Sequence, residues 1–378
     1  MMPPPPDLTP PTPYRFPSIR PVLPRIEHWA PFLNASYQTR WFSNFGPVVR
    51  QFEAALTARF CHPGEVMLST NSATSGIAAA LVALGVRGPV IIPAFTFPAT
   101  ASAVVMAGAE PTVLDVDLET GCLALPLLEE ALCAEKCDAV VLVAPFGIQQ
   151  DFTAWFKLCD RHGAALVIDN AAGLGVPESS LPGARCFEVY SMHATKSFAI
   201  GEGGAIRAGA EHAEALRRAL NFGLRGPNTR EDCWGINGKL PEVSAAIGLA
   251  VLHDLDETMA RRRAGAQRYL ELLRDFPQVR SFAGSREGPW QVFPMLLPSA
   301  VVTERLVTRA AALGLHIRRG YEPSLEDWPR TRKFTPCPNA LILAERMASL
   351  PVYADATDAE MNEMEEIVRT SLGHAFSL

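Results

Sequence analysis

The chain has 378 residues, 48% of them hydrophobic and 20% charged, with a formal net charge of -6. That is enough apolar material for a large core, and the acidic balance excludes the basic surface that a nucleic-acid or anionic-membrane partner requires. No apolar run reaches membrane-spanning length, the N-terminus lacks the basic-then-apolar layout of a secretion signal, and the eight cysteines form no CxxC pair. A soluble cytoplasmic protein with reduced thiols is therefore expected.

Residues 1–24 are dense in proline (Pro3 to Pro6, Pro10, Pro11, Pro13, Pro17, Pro21, Pro24). Proline fixes φ and removes a donor, so an extended or disordered arm is expected there, with no regular helix or central strand. Val49, Phe52, Leu56 and Phe60 recur at helical spacing within residues 48–60. Short apolar runs then alternate with helical ones. Strands are expected at 65–69, 90–93, 111–116, 139–144, 165–169 and 186–190, and helices at 77–84, 99–107, 125–133 and 152–162. Such alternation predicts a mostly parallel sheet with helices on both faces. Beyond it, helices are expected at 210–220 and 243–273, the second long enough to bridge to a smaller unit. Residues 290–378 read as an α+β cap with a strand at 292–297 and helices near 303–313, 339–348 and 358–372. The expected domains are an arm at 1–24, a large domain at 25–250 and a small one at 251–378.

In open parallel sheets ligands gather at the carboxyl ends of the strands. The turn Asn71-Ser-Ala-Thr-Ser-Gly76 falls at such an end. It opens a helix and offers backbone N–H groups with the hydroxyls of Ser72, Thr74 and Ser75, a cradle for one phosphate. Neither a Walker lysine nor G-x-G-x-x-G accompanies it, which argues against a nucleoside triphosphate or a dinucleotide. Phe97 follows the next strand, where it is either a core residue or a flat surface for a ring. Asp169-Asn170 ends a strand. In Tyr190-Ser-Met-His-Ala-Thr-Lys196 a lysine stands between two strand-like segments, where desolvation would free its amine as a nucleophile. His193 lacks a second ligand at metal spacing, so a packing or substrate-contact role is expected and no metal site is assigned. A phosphate cradle, an aromatic ring, a polar group and a lysine on one α/β sheet point to pyridoxal phosphate.

Several motifs run in order along the chain. They are Trp41-Phe-Ser-Asn-Phe-Gly-Pro47, Asn71-Ser-Ala-Thr-Ser-Gly76, Pro93-Ala-Phe-Thr-Phe97, Asp115-Val-Asp117, Ser191-Met-His-Ala-Thr-Lys196, Gly201-Glu-Gly-Gly204 and Gly235-Ile-Asn-Gly-Lys-Leu240. On these the chain resembles the DegT-type, pyridoxal-phosphate-dependent nucleotide-sugar aminotransferases. The resemblance implies an aspartate-aminotransferase-like fold and a homodimer with active sites at the subunit interface. It also implies an amino-acid donor such as glutamate and a nucleotide-linked keto-sugar as acceptor. Lys196 would be the Schiff-base lysine. Ser72, Ala73, Thr74, Ser75 and Ser191 would hold the phosphate, with His193 beside them, and Phe97 would stack on the ring. Asn237 or Lys239 would reach across from the other subunit, and the stretch around Arg318 and Tyr321 would line the sugar-nucleotide pocket.

One stretch departs from the pattern. The family places an aspartate, two small residues and then His or Gln after the central strand, and this chain has Asn170-Ala-Ala-Gly173. Strand alternation predicts that Asp169 points to the opposite face from the ring unless a bulge turns it. An asparagine under the pyridine would give a hydrogen bond in place of a charge pair. This leaves two alternatives open: altered chemistry (elimination, or a non-sugar substrate), and a catalytically idle, cofactor-binding partner protein.

Overall fold

The structure, a computed structural model, describes residues 13–176, 185–225, 234–282, 287–329 and 331–377. Seven strands occupy its first half: β1 Glu65–Thr70, β2 Pro89–Pro93, β3 Glu110–Leu114, β4 Ala139–Val143, β5 Ala165–Asp169, β6 Cys186–Ser191 and β7 Gly204–Gly209. Five follow: β8 Arg280–Ser281, β9 Val292–Leu296, β10 Arg318–Arg319, β11 Arg332–Lys333 and β12 Met347–Pro351. They form an eight-stranded sheet in the order β1-β7-β6-β5-β4-β2-β3-β11 and a four-stranded sheet in the order β10-β12-β9-β8. In the large sheet only β7 runs antiparallel to its neighbours. The small sheet is antiparallel throughout.

The central strands are apolar on both sides because helices cover both sides. On β4 and β5, Val140, Leu142, Leu166 and Ile168 pack with the helices Leu125–Ala134 and Thr153–Arg161. Ala139, Val141, Ala165 and Val167 face the helices Ala73–Ala83 and Ala99–Met106. Each fully buried valine, leucine or isoleucine among these stabilises the fold by about 1.5–3 kcal/mol. Since side chains alternate, the residue that follows Ile168 belongs to the Val167 side. This detail decides the site.

The helix expected over 243–273 is two helices, Glu242–His253 and Leu255–Leu272. Asp254 interrupts them with φ -103 and ψ 9, and its side chain meets His253 Nδ1 at 2.6 Å. Aspartate competes locally for backbone geometry, which apolar periodicity does not register. The strand Met347–Pro351 was hidden at the end of an expected helix. It has no β-branched residue, and its place comes from burial between β9 and β10.

Residues 1–12 of the arm lie outside the described residues. From residue 13 the arm is extended and packs on the C-terminal part. Phe16 is buried and exchanges backbone hydrogen bonds with Gly314 and His316, each at 2.9 Å. Tyr14 stacks on His316 with ring centroids 4.6 Å apart. Arg20 pairs with Asp355 and Glu360, each at 2.8 Å, over the Tyr353 ring. Among the described residues the cysteines are free thiols, and no helix is long and apolar enough to cross a membrane.

Candidate active site

Residues 192–203 connect β6 to β7 and fold back on themselves. Met192 N–H donates to Gly203 O (2.8 Å), Ile200 N–H to Met192 O (2.9 Å) and Ala194 N–H to Gly201 O (2.7 Å). Phe198, Ala199 and Ile200 are buried, and Ser197 Oγ donates to Pro289 O at 2.8 Å. With its neighbours pinned, Lys196 is held with Nζ in a cavity of about 360 Å³. Gln291 Oε1 accepts from Nζ at a long 3.4 Å. Burial pushes the Lys196 amine down to about 8; Asp169 opposes the shift and Arg318 adds to it. A fair share of the amine is therefore unprotonated near neutral pH, which a nucleophilic lysine requires.

The turn after β1 is not a loop preceding a helix but the first turn of one, since the helix begins at Ala73. Ser72 is extended (φ -165, ψ 157), and its Oγ accepts the Ser75 N–H at 3.1 Å. Ser72, Ala73 and Thr74 line the cavity together with Ser191 and His193. Ser75 lies behind Ser72, buried, its Oγ 3.1 Å from the Ser72 hydroxyl. A Cβ on Gly204 would come within 2.7 Å of Tyr190 O and 2.8 Å of Ala73 N. Only glycine lets β7 approach this turn so closely. Phe97 stands at the cavity wall with 54% of its surface exposed, unlike the core residue Phe95.

Asp169 and Asn170 are placed opposite to the expectation from sequence. Asp169, 7% exposed, lines the cavity on the Val167 side of β5. Its Oδ2 accepts from Thr100 Oγ1 at 2.7 Å and its Oδ1 from the Ala171 N–H at 3.2 Å. Burial raises its pKa, against the Thr100 hydrogen bond and the Lys196 charge. Asn170 turns to the other face, where Nδ2 donates to Glu188 Oε1 at 2.8 Å. No bulge is needed. The strand keeps its alternation, and the carboxylate that faces the cavity stands one residue before Asn170.

Asn237 and Lys239 are not among the cavity residues. They lie beside its entrance turn, with Asn71 Nδ2 donating to Asn237 O at 2.9 Å and Lys239 Nζ over the Phe222 ring at 4.3 Å. Several cavity residues carry no assignment from the sequence, among them Gln291 and Ser349, and Glu202 lines the cavity as well. Thr100 reaches the site through its hydrogen bond to Asp169. Glu202 Oε1 lies 3.5 Å from His193 Nε2. His193 Nδ1 accepts the Thr195 N–H at 3.2 Å, and Nε2 faces Glu202. Thr100 and Gln291 come from remote elements, and neither belongs to a motif. Arg318 and Tyr321 line the cavity. Tyr321, stacked on Phe146 at 5.5 Å, has its phenol pushed up to about 12 by burial.

These residues fit pyridoxal phosphate. The donor set combines a lysine amine whose pKa burial lowers, a hydroxyl-rich helix N-terminus bared by a glycine, an exposed phenyl face and a buried carboxylate.

The profile of the DegT/DnrJ/EryC1/StrS aminotransferase family matches residues 27–369. The chain is 29% identical to the dTDP-4-amino-4,6-dideoxy-D-glucose transaminase of Shigella dysenteriae, over 93% of this chain and 96% of that one. Among solved structures it is similar to a putative PLP-dependent aminotransferase of Bacillus cereus ATCC 10987. That likeness has a TM-score of 0.86 and 25% identity over 95% of this chain and 99% of the other. DesI, solved in the presence of its TDP-sugar product, superposes with a TM-score of 0.84 at 28% identity, over 97% of this chain and 96% of that one. The expected fold, a mostly parallel sheet of the PLP-dependent transferase type with a smaller α+β part, is the fold observed. The chain belongs to the DegT/DnrJ/EryC1/StrS aminotransferase family and is a pyridoxal-phosphate-dependent aminotransferase.

Proposed function

We propose that this aminotransferase moves an amino group from an amino-acid donor, glutamate in the first instance, to a keto-sugar carried on a nucleotide. The observation that carries the reading is Lys196. Its amine, lowered to about 8 by burial, shares one cavity with the buried carboxylate of Asp169. Relatives named for a dTDP-linked amino sugar and for a TDP-sugar product support the acceptor class.

Pyridoxal phosphate supplies an aldehyde to receive the amino group and a protonated pyridine ring to withdraw electrons from the bond being broken. The protein's own residues do the rest. Ser72, Thr74, Ser191 and the first N–H groups of the helix Ala73–Ala83 would hold the phosphate, with Ser75 and Ala73 shaping the turn. Phe97 would offer its face to the ring. Asp169, held by Thr100, would keep a proton on the ring nitrogen through a charge-assisted contact. Lys196 Nζ would bond the aldehyde of the resting cofactor and, when free, would accept and return the proton at the carbon that loses or gains the amino group. Gln291 Oε1 orients that amine. The cavity beside Arg318 and Tyr321 takes the acceptor. Asn237, exposed, and Lys239, half-buried, lie beside the entrance turn and serve the site of a second copy in a homodimer.

The test is spectroscopic. Wild-type protein reconstituted with the cofactor should show a visible absorption band that glutamate converts stoichiometrically, and Lys196→Ala should lack that conversion. A wild-type band that no amino acid alters would refute the transaminase reading.

A further inference from the structure

Asn170 and Gly173, the two departures from the family pattern, sit on one another. A Cβ on Gly173 would lie 2.0 Å from Asn170 Oδ1 and 2.4 Å from its Nδ2, so no side chain fits at 173 while this carboxamide holds its place. The Gly173 N–H also donates to the Asn170 backbone O at 2.9 Å, which closes a tight turn. The carboxamide is tied in turn to a buried polar chain across the back of the sheet. Asn170 Nδ2 donates to Glu188 Oε1 (2.8 Å), Arg207 Nη1 to Glu188 Oε2 (3.3 Å), and Arg207 Nε to Glu65 Oε2 (2.8 Å). Glu188 and Arg207 are only 8% and 4% exposed.

Adjacent residues at a strand end face opposite ways, so whatever holds residue 170 on the back face holds 169 on the cavity face. We propose that Asn170, tethered to Glu188 and covered by Gly173, is a positioning residue that fixes the end of β5 so that Asp169 meets the ring nitrogen of the cofactor. An aspartate at 170 could not do this. It would supply no donor to Glu188 and would place a second carboxylate 2.8 Å from the first. Asn170 and Gly173 thus form one device, in which the amide needs the space that the glycine leaves. The inference rests on the assignment of Asp169 proposed above.

The experiment compares equilibrium binding of pyridoxal phosphate and of its 1-deaza analogue, in which C–H replaces the ring nitrogen, to the apoenzyme. Wild type should prefer the natural cofactor by about tenfold to a hundredfold, the usual worth of a hydrogen bond to a charged group. Asn170→Ala should cut that preference by about threefold or more while leaving affinity for the analogue nearly unchanged, because only the contact with nitrogen is loosened. Gly173→Ala should do the same, and Asn170→Ala/Gly173→Ala should be no worse than Asn170→Ala alone, since both act on one element. Asn170→Ser provides the same comparison should the alanine variant not fold. Equal weakening of both ligands, an unchanged preference, or additive losses would overturn the proposal. If Asp169→Asn retains the full preference, it is the assignment of Asp169 that fails.

Discussion

The chemistry at Lys196 follows from its surroundings and not from its identity. A lysine in water would hold its proton past pH 10. Burial here brings the amine to about 8, with Asp169 pulling the other way. The folded value is lowered, so the reactive free-amine fraction rises as pH climbs through about 8 instead of above 10. Capture of pyridoxal phosphate by the apoenzyme, followed by stopped-flow absorbance, should therefore accelerate with a midpoint near 8. Asp169→Asn removes the opposing charge and should move that midpoint lower. A midpoint near that of a free lysine would show that the amine is solvated. Between about pH 8 and the unfolded value the native state binds fewer protons than the unfolded chain, so this residue's contribution to apoenzyme stability rises with pH in that window. Lys196 was legible in the sequence because its motif is long and local. Asp169 is misplaced by the sequence reading because the family pattern sets residue 170 on the cavity side, and strand alternation counted from 170 then turns 169 away. Val167 already marked the cavity side.

At the scale of elements, the site is made where β1, β5 and β6 end and where β7 passes under the helix Ala73–Ala83. Gly204 is the point of closest approach, and its absent Cβ decides whether the phosphate turn keeps its shape. Gly204→Ala should fold, since it lies at a strand end, but should weaken cofactor binding by about tenfold or more as the turn is displaced. Equilibrium titration of the apoenzyme measures this, and an unaltered dissociation constant would place the phosphate elsewhere. The parallel strands were legible because short, doubly buried runs leave a clear apolar signature. Most of the small sheet, and the edge strand β11 of the large one, are hidden in the sequence. β8, β10 and β11 are two residues each and rich in arginine or lysine. Such strands are defined by their partners, and only tertiary packing reveals them.

At the scale of the molecule, the arm joins the two ends of the chain. The proline pattern predicted extended backbone but not its destination, because docking depends on a surface formed some 300 residues later. Phe16 is the anchor, buried against Leu315 and its surroundings. Phe16→Ala should destabilise the protein by about 3–5 kcal/mol, the usual cost of emptying such a position, as read by denaturant unfolding. A loss under about 1 kcal/mol would mean that the arm contributes little to the fold. Several large aromatic side chains stay exposed, among them Tyr37, Trp41, Phe42, Phe222 and Trp234, the last at 88%. Exposed aromatics of that size suit an interface, in keeping with the proposed homodimer.

The most direct measurement is chemical. The holoenzyme is reduced with borohydride, digested and mapped by mass spectrometry. The account predicts a pyridoxyl group on Lys196 at close to one per chain, and none on Lys239 or any other lysine. Labelling at a different lysine, or no stable label in protein that demonstrably holds the cofactor, would contradict it.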